Sequence, residues 1–297
     1  MRFARLRAAG GSVETAEDSV DEVTTKRELR LDDAEGPPLI LAGGATHPGR
    51  MRMRNEDAFE IVAECGLAML ADGLGGHPAG DIASRMAVQE VGEYVRELDL
   101  DPTQPDASDP GAAPRATMDF MSLAVLHANR EIHFAGLRYP VCAGMGATFV
   151  SLLLVRGFAI FAHVGDSRVY RLRAGELTRL TEDHSRAAEY LRAHGTQADP
   201  AITRRHEGTL TRCLGARSEV MVDVGYDHHL PGDAYLLCSD GLWSVVPEST
   251  LARILTETVD PGQAAEQMIL EANRAGGPDN VTAVIVYAVA DLSLPSS

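Results

Sequence analysis

Three Asp-centred segments stand far apart in the chain: Ala71-Asp72-Gly73-Leu74-Gly75-Gly76-His77, Cys238-Ser239-Asp240-Gly241-Leu242 and Gly277-Pro278-Asp279-Asn280. A fourth, Val164-Gly165-Asp166-Ser167-Arg168, lies between the first two. Each sets a carboxylate at the edge of an apolar, strand-like run, where the chain must turn. Acidic turns converging from distant positions suit a hard cation, because Mg²⁺ and Mn²⁺ take oxygen ligands and keep several waters. One Asp-Gly by itself is an ordinary turn. Four acidic turns, each beside an apolar run, are a candidate metal site.

The surroundings add chemistry. After Asp72 the string Gly73-Leu74-Gly75-Gly76 leaves the backbone free, so that a carbonyl such as that of Gly73 can point at the same cation. A helix starting near Ala79 would aim its N-terminal dipole at this region. Upstream, Arg52-Met53-Arg54-Asn55-Glu56-Asp57 supplies cations and two more carboxylates, and an arginine can hold two phosphate oxygens in a fork. If Asp72, Asp240 and Asp279 share one end of a fold, they can hold two divalent cations. Two such ions about 3.5–4 Å apart provide a bridging water nucleophile near neutral pH and stabilise in-line attack at phosphorus. No Gly-x-Ser-x-Gly elbow or Cys-x5-Arg loop is present, which leaves a serine or cysteine nucleophile without support.

The elements that must position these turns follow from periodicity. Residues 57–63 and 67–71 read as two strands around Cys65-Gly66. Residues 79–96 place Ala83, Ala87, Val91 and Val95 at four-residue spacing, an amphipathic helix, and 115–137 form a second one. Residues 99–114 are a Pro/Asp-rich loop. Strands follow at 146–155, 158–164 and 167–173, with Arg156-Gly157 and Gly165-Asp166 as tight hairpin turns. The polar stretch 183–214 breaks the rhythm; strands resume at 220–226 and 233–238, helices at 247–258 and 261–275, and a last strand at 281–289. This order is not the alternating βαβ of a doubly wound fold. It predicts an α+β, four-layer α-β-β-α sandwich, two antiparallel sheets flanked by helix pairs.

The predicted organisation is a single catalytic domain at 37–292, a mobile extension at 1–36 with an edge strand near its end, and a tail at 293–297. The net charge of −16 over 297 residues disfavours nucleic acid or an anionic membrane as the main partner. No apolar run reaches the ~18 residues of a transmembrane helix, and the basic N-terminus lacks the apolar stretch of a signal peptide. Cys65, Cys142, Cys213 and Cys238 form no Cys-x-x-Cys pair, which points to reduced thiols in a cytoplasm.

At this point a family resemblance is specific. RMRNED at 52–57, ADGLGGH at 71–77, MGAT at 145–148, VGDSR at 164–168, CSDGLW at 238–243 and GPDNVT at 277–282 resemble, in order and context, the metal-dependent serine/threonine protein phosphatases, the PPM or type 2C family. The likeness is strongest to compact bacterial members that oppose Ser/Thr kinases, and it runs from about Leu39 to Val289. It implies two Mn²⁺ or Mg²⁺ ions, with a third possible. Asp72 resembles the bridging carboxylate, Gly73 the carbonyl ligand, and Asp240 and Asp279 the other core ligands. Asp166 resembles the third-metal aspartate. Glu56, Asp57 and Asn280 would stand behind the ligands, the two acids orienting metal-bound water. Arg52 resembles the phosphate-binding arginine, ahead of Arg54, and 183–214 a flap beside the site. The implied reaction is attack of metal-bridging water on phosphoserine or phosphothreonine, with no phosphoenzyme. The implied partners are phosphorylated proteins, including a kinase and its substrates, and the chain is expected to be a monomer.

There are departures. Many eukaryotic members carry a His two residues after the first metal Asp as general acid; here that residue is Leu74. The proton must then come from metal-bound water or another group, and His77 is near in sequence only. Three rivals are weaker: a catalytically dead member, which would have lost metal carboxylates; the sporulation-type branch, which carries a GDYYD-like element in place of RNEDAF; and a nucleotide-binding α/β enzyme suggested by Gly43-Gly44 and Gly73–Gly80, which lack Gly-x-Gly-x-x-Gly.

Overall fold

Every residue of the run Leu67-Ala68-Met69-Leu70-Ala71 is buried, which only a strand covered on both faces explains. The computed structural model describes residues 22–24, 40–74, 79–97, 114–155, 157–206 and 208–288. Along them run β1 (Glu22–Thr24), β2 (Ile40–His47), β3 (Asp57–Val62), β4 (Leu67–Asp72), α1 (Gly80–Glu97), α2 (Arg115–Arg138), β5 (Phe149–Val155), β6 (Phe158–Val164), β7 (Arg168–Arg173) and β8 (Glu176–Arg179). They continue as α3 (Arg186–His194), α4 (Pro200–His206), β9 (Asp223–His228), β10 (Ala234–Cys238), α5 (Asp240–Trp243), α6 (Glu248–Glu257), α7 (Pro261–Arg274) and β11 (Val281–Ala288).

Among the described residues the strands form a six-stranded sheet in the order β1-β2-β11-β10-β7-β8 and a five-stranded sheet in the order β3-β4-β5-β6-β9. Neighbouring strands are antiparallel throughout. Three apolar layers hold the stack together. Leu70, Val150, Leu152, Tyr235, Leu237 and Val284 fill the space between the sheets. The outer face of the five-stranded sheet packs Met69 and Phe149 against α1 and α2 through Ala87, Val91, Val125 and Ile132. The outer face of the other sheet packs Leu236 and Ile285 against α6 and α7 through Leu251, Ile254, Ala265 and Met268. This is the expected α-β-β-α sandwich.

The Gly43-Gly44 pair has a packing role. A Cβ on Gly43 would lie 2.5 Å from the Gly262 nitrogen, so its absence lets α7 sit directly on β2. An edge strand in the N-terminal stretch is present as β1, pairing with β2; the other residues of 1–36, and His77 with Gly75 and Gly76, lie outside the described residues.

One expectation is corrected. β5 and β6 do form the expected hairpin, with Val155 opposite Phe158, but Gly165-Asp166 does not close one, because β6 and β7 belong to different sheets. The chain crosses from one sheet to the other there. Periodicity also misses β2, β8, the single turn α5 immediately after β10, and the helices α3 and α4 inside 183–214.

Candidate metal centre

Strand register puts the acidic turns together. Asp57 opens β3 directly opposite Asp72, which ends β4. In the other sheet Cys238 stands between Arg168 and Ala283, so Ser239-Asp240, Asp279-Asn280 and the Gly165–Ser167 crossing all leave the sheet at one end. His47 pairs with Val281, and the 48–56 loop therefore starts from the same rim.

Mutual repulsion follows. Burial first, then the charges of Asp57, Asp240, Asp166 and Asp279, raise the Asp72 carboxyl well above its ordinary range. Burial and the Asp279 charge push Asp240 up to about 6, although a hydrogen bond with Asp72 pulls it back. Burial, Asp240 and Asp183 push Asp166 up to about 7. Burial also carries Asp57 to about 7, against the hydrogen bonds it accepts. Glu56 is raised by burial and by Asp81. Carboxylates that raise each other in this way are stabilised by protons or by a multivalent cation.

Hydroxyls hold the rim in place. Asn55 Nδ2 donates to Thr46 Oγ1 (2.8 Å), Thr46 Oγ1 bonds Thr282 Oγ1 (2.7 Å), and Thr282 Oγ1 donates to Asp57 Oδ2 (2.6 Å). Ser239 Oγ donates to the same Oδ2 (2.8 Å) and accepts from the Thr282 amide (3.0 Å). Asp57 Oδ2 is thereby fixed, and its Oδ1 is buried with no protein partner. An orphaned carboxylate oxygen inside an acidic cluster fits a role in holding cation-bound water. Thr148 takes the Asp72 amide on Oγ1 (3.1 Å), bonds Ser167 (2.7 Å), and gives its own amide to the Asp72 carbonyl (2.8 Å). It ties the Asp72 turn to the Asp166 turn. A Cβ on Gly241 would sit 2.0 Å from the Asn280 carbonyl oxygen, so only glycine lets the Asp240 and Asp279 turns approach this closely.

Arg52 donates to Asp279 Oδ2 at 2.8 Å, which sets its guanidinium at the edge of the carboxylate group. Asn280, buried, accepts from the Glu56 amide (2.8 Å) and donates to the carbonyls of Pro48 (2.9 Å) and Arg54 (2.8 Å). It fastens the Arg52 loop to the Asp279 turn. Thus Arg52, Glu56, Asp57, Asp72, Gly73, Asp166, Asp240, Asp279 and Asn280 come from separate segments to one rim. The Gly73 amide bonds the Glu56 carbonyl (3.1 Å) within it. Sequence reasoning misses the hydroxyls of Thr46, Thr148, Ser167, Ser239 and Thr282. All but Thr46 lie within MGAT, GDS, CSD and DNVT, yet a hydroxyl gives no local signal of its partner.

Segment 183–214 is bolted to this rim. Arg168 forks onto Asp183 (2.9 and 2.7 Å) and lies 3.4 Å over the Trp243 ring, while Trp243 Nε1 donates to the Asp166 carbonyl (3.0 Å). Nearby, donor atoms of His163, His184 and Asp223 lie within 4.8 Å of one another. The two rings are stacked, 4.5 Å apart and 18° from parallel, so their in-plane lone pairs run side by side and do not meet at one ion. Each ring is also engaged within the fold, since His163 Nε2 bonds the Glu182 carbonyl and His184 Nδ1 accepts the Gly165 amide. Burial lowers both imidazoles and keeps them neutral. This group ties the segment to the sheet.

Known proteins share this fold. Residues 44–273 match the family described as protein phosphatase 2C. The serine/threonine phosphatase stp of Listeria monocytogenes serotype 4b (strain F2365) is 34% identical over 244 residues, covering 81% of this chain and 93% of its own. The crystal structure of the Mycobacterium tuberculosis serine/threonine phosphatase PstP/Ppp superposes with a TM-score of 0.71 at 30% identity, covering 84% of this chain and 99% of its own. A structure of the PstP catalytic domain in complex with two manganese ions gives 0.69 at 32% identity, with the same coverage. The fold is that of a metal-dependent phosphoric monoester hydrolase. The chain belongs to the protein phosphatase 2C family, and it is a serine/threonine phosphatase.

Proposed function

We propose that the rim is the catalytic centre, where Asp72, the Gly73 carbonyl, Asp240 and Asp279 would hold two Mn²⁺ or Mg²⁺ ions and Asp166 would help hold a third. The observation that carries this reading is the convergence of Asp57, Asp72, Asp166, Asp240 and Asp279 from separate segments, with burial and mutual charge raising the first four of them. Bound there, the cations supply an activated water and Lewis-acid stabilisation of the phosphoryl oxygens.

The chain's own groups do the rest. Arg52 holds two oxygens of the phosphoserine or phosphothreonine dianion, in the fork geometry that suits phosphate. Asp57, fixed by Thr282 and Ser239, accepts hydrogen bonds from ordered water, and Glu56 does so from beside the Arg52 loop. Residues 37–292 form the catalytic domain, with 183–214 as its flap and β1 added at the edge of its sheet. The substrates are phosphorylated proteins, among them a bacterial Ser/Thr kinase and that kinase's targets, met in the cytoplasm by a monomeric enzyme.

The test is release of phosphate from p-nitrophenyl phosphate and from a phosphothreonine peptide. Both are expected with Mn²⁺, and EDTA is expected to abolish both. Turnover that persists in EDTA would remove the metal assignment.

A further inference from the structure

Residues 50–54, Arg50-Met51-Arg52-Met53-Arg54, are five consecutive exposed positions carrying three guanidiniums in a chain of net charge −16. Met51 is 73% exposed and Met53 98% exposed. Single exposed apolar side chains are ordinary on protein surfaces. These two flank the arginine that reaches Asp279, and the loop that carries them is fixed. The Arg50 and Met51 amides both donate to the Gly277 carbonyl (2.8 and 3.2 Å), and Asn280 Nδ2 grips the carbonyls of Pro48 and Arg54 on either side. The thioethers are therefore presented by a held backbone, which lowers the ordering cost of binding on them.

We propose that Met51 and Met53 form the docking surface for the substrate chain immediately flanking the phosphoresidue, and that they select an apolar side chain one or two positions from it. The inference rests on the reading of Arg52 as the phosphate holder. Consecutive residues of an extended peptide are about 3.8 Å apart, so with the phosphate on Arg52 the flanking residues fall opposite its own neighbours. Methionine is unbranched and polarisable, and it adapts to leucine, phenylalanine or methionine without a shaped pocket. Arg50 and Arg54 set the charge preference: acidic flanking residues are favoured and lysine or arginine is penalised. The ligand is thus a phosphopeptide segment with an apolar neighbour and no adjacent basic residue.

The experiment uses the full chain with Mn²⁺ and three phosphothreonine peptides bearing Leu, Gln or Lys at the flanking positions, each compared with p-nitrophenyl phosphate. The Leu peptide is expected to exceed the Gln peptide in kcat/KM by about fivefold, the effect of half-burying one methionine side chain, with the Lys peptide below both. In a Met51→Gln, Met53→Gln double variant the Leu-to-Gln ratio is expected to fall to about one. A ratio near one in the parent enzyme, or one that survives in the double variant, overturns the inference. Arg52→Ala separates the two readings. If it raises KM for p-nitrophenyl phosphate while the Leu preference survives the methionine changes, only the docking surface is lost. If it leaves that KM unchanged, the loop is not at the phosphate and both readings fall.

Discussion

Asp240 sits where burial and the Asp279 charge oppose ionisation, and a hydrogen bond with Asp72 partly relieves it. Replacing it with asparagine removes one charge from the cluster and one proposed ligand, and the two effects have opposite signs. Asp240→Asn is expected to lower kcat by about 10²–10³-fold or more, the scale of losing one electrostatic stabiliser of the transition state. In the absence of divalent cations the same variant is expected to melt at a higher temperature than its parent, because a buried repulsion is gone. Activity assay and thermal melting, run on one sample, check both; a variant that loses activity and also melts lower when metal-free has simply been damaged. At this scale the carboxylates were legible in the sequence because each stands beside an apolar run. The hydroxyls that orient them were not. Ser239 and Thr282 meet at Asp57, with Thr46 behind Thr282, only after the two sheets have packed, and local sequence carries no mark of that meeting.

The elements serve mainly to bring turns together, and Asn280 shows how a loop is locked to a sheet end. Its side chain makes three hydrogen bonds to the 48–56 loop at 2.8–2.9 Å. Asn280→Ala leaves one amide and two carbonyls without that partner, so a loss of about 2–4 kcal/mol in urea unfolding is expected. It also frees the Arg52 loop, and a raised KM for phosphoesters should accompany the lost stability. An unchanged KM would mean that the loop holds its position without Asn280. Periodicity located the four principal helices and most strands because each buries one stripe or face against a continuous apolar layer. It failed at the Gly165-Asp166 crossing, since a chain that switches sheets and one that turns back on the same sheet share Gly-Asp chemistry. It also failed inside 183–214, where α3 and α4 bury no residue and so show no apolar stripe. Those helices are held at their base by Arg168, Asp183 and the His163–His184 stack, and these contacts join residues from separate elements.

For the whole molecule, the acidic rim makes stability depend on pH and cation together. Asp57 and Asp166 are raised to about 7 and Asp240 to about 6, and Asp72 is raised well above its usual range. In the unfolded chain these carboxyls ionise near their ordinary value of about 4. Between roughly pH 4 and pH 7 the folded protein therefore keeps protons that the unfolded chain has released, and stability falls as pH rises through that window. His163 and His184, lowered by burial, act in the opposite sense: their neutral folded forms gain stability as pH rises towards the unfolded value of about 6.5. The carboxylates outnumber them in the rim, so in EDTA the melting temperature is expected to fall from pH 5 to pH 8. A cation that binds only the folded rim reverses the trend; at a hundredfold excess over Kd it adds about 2.7 kcal/mol, or about 4 °C for a chain of this size. Scanning calorimetry at several pH values, with EDTA and with Mn²⁺, reads both slopes. The Asp240→Asn variant isolates the cause, because it flattens the EDTA slope and leaves the histidine contribution in place. A slope that is flat in the parent enzyme, or unchanged in the variant, would mean that the four carboxylates do not share one buried field.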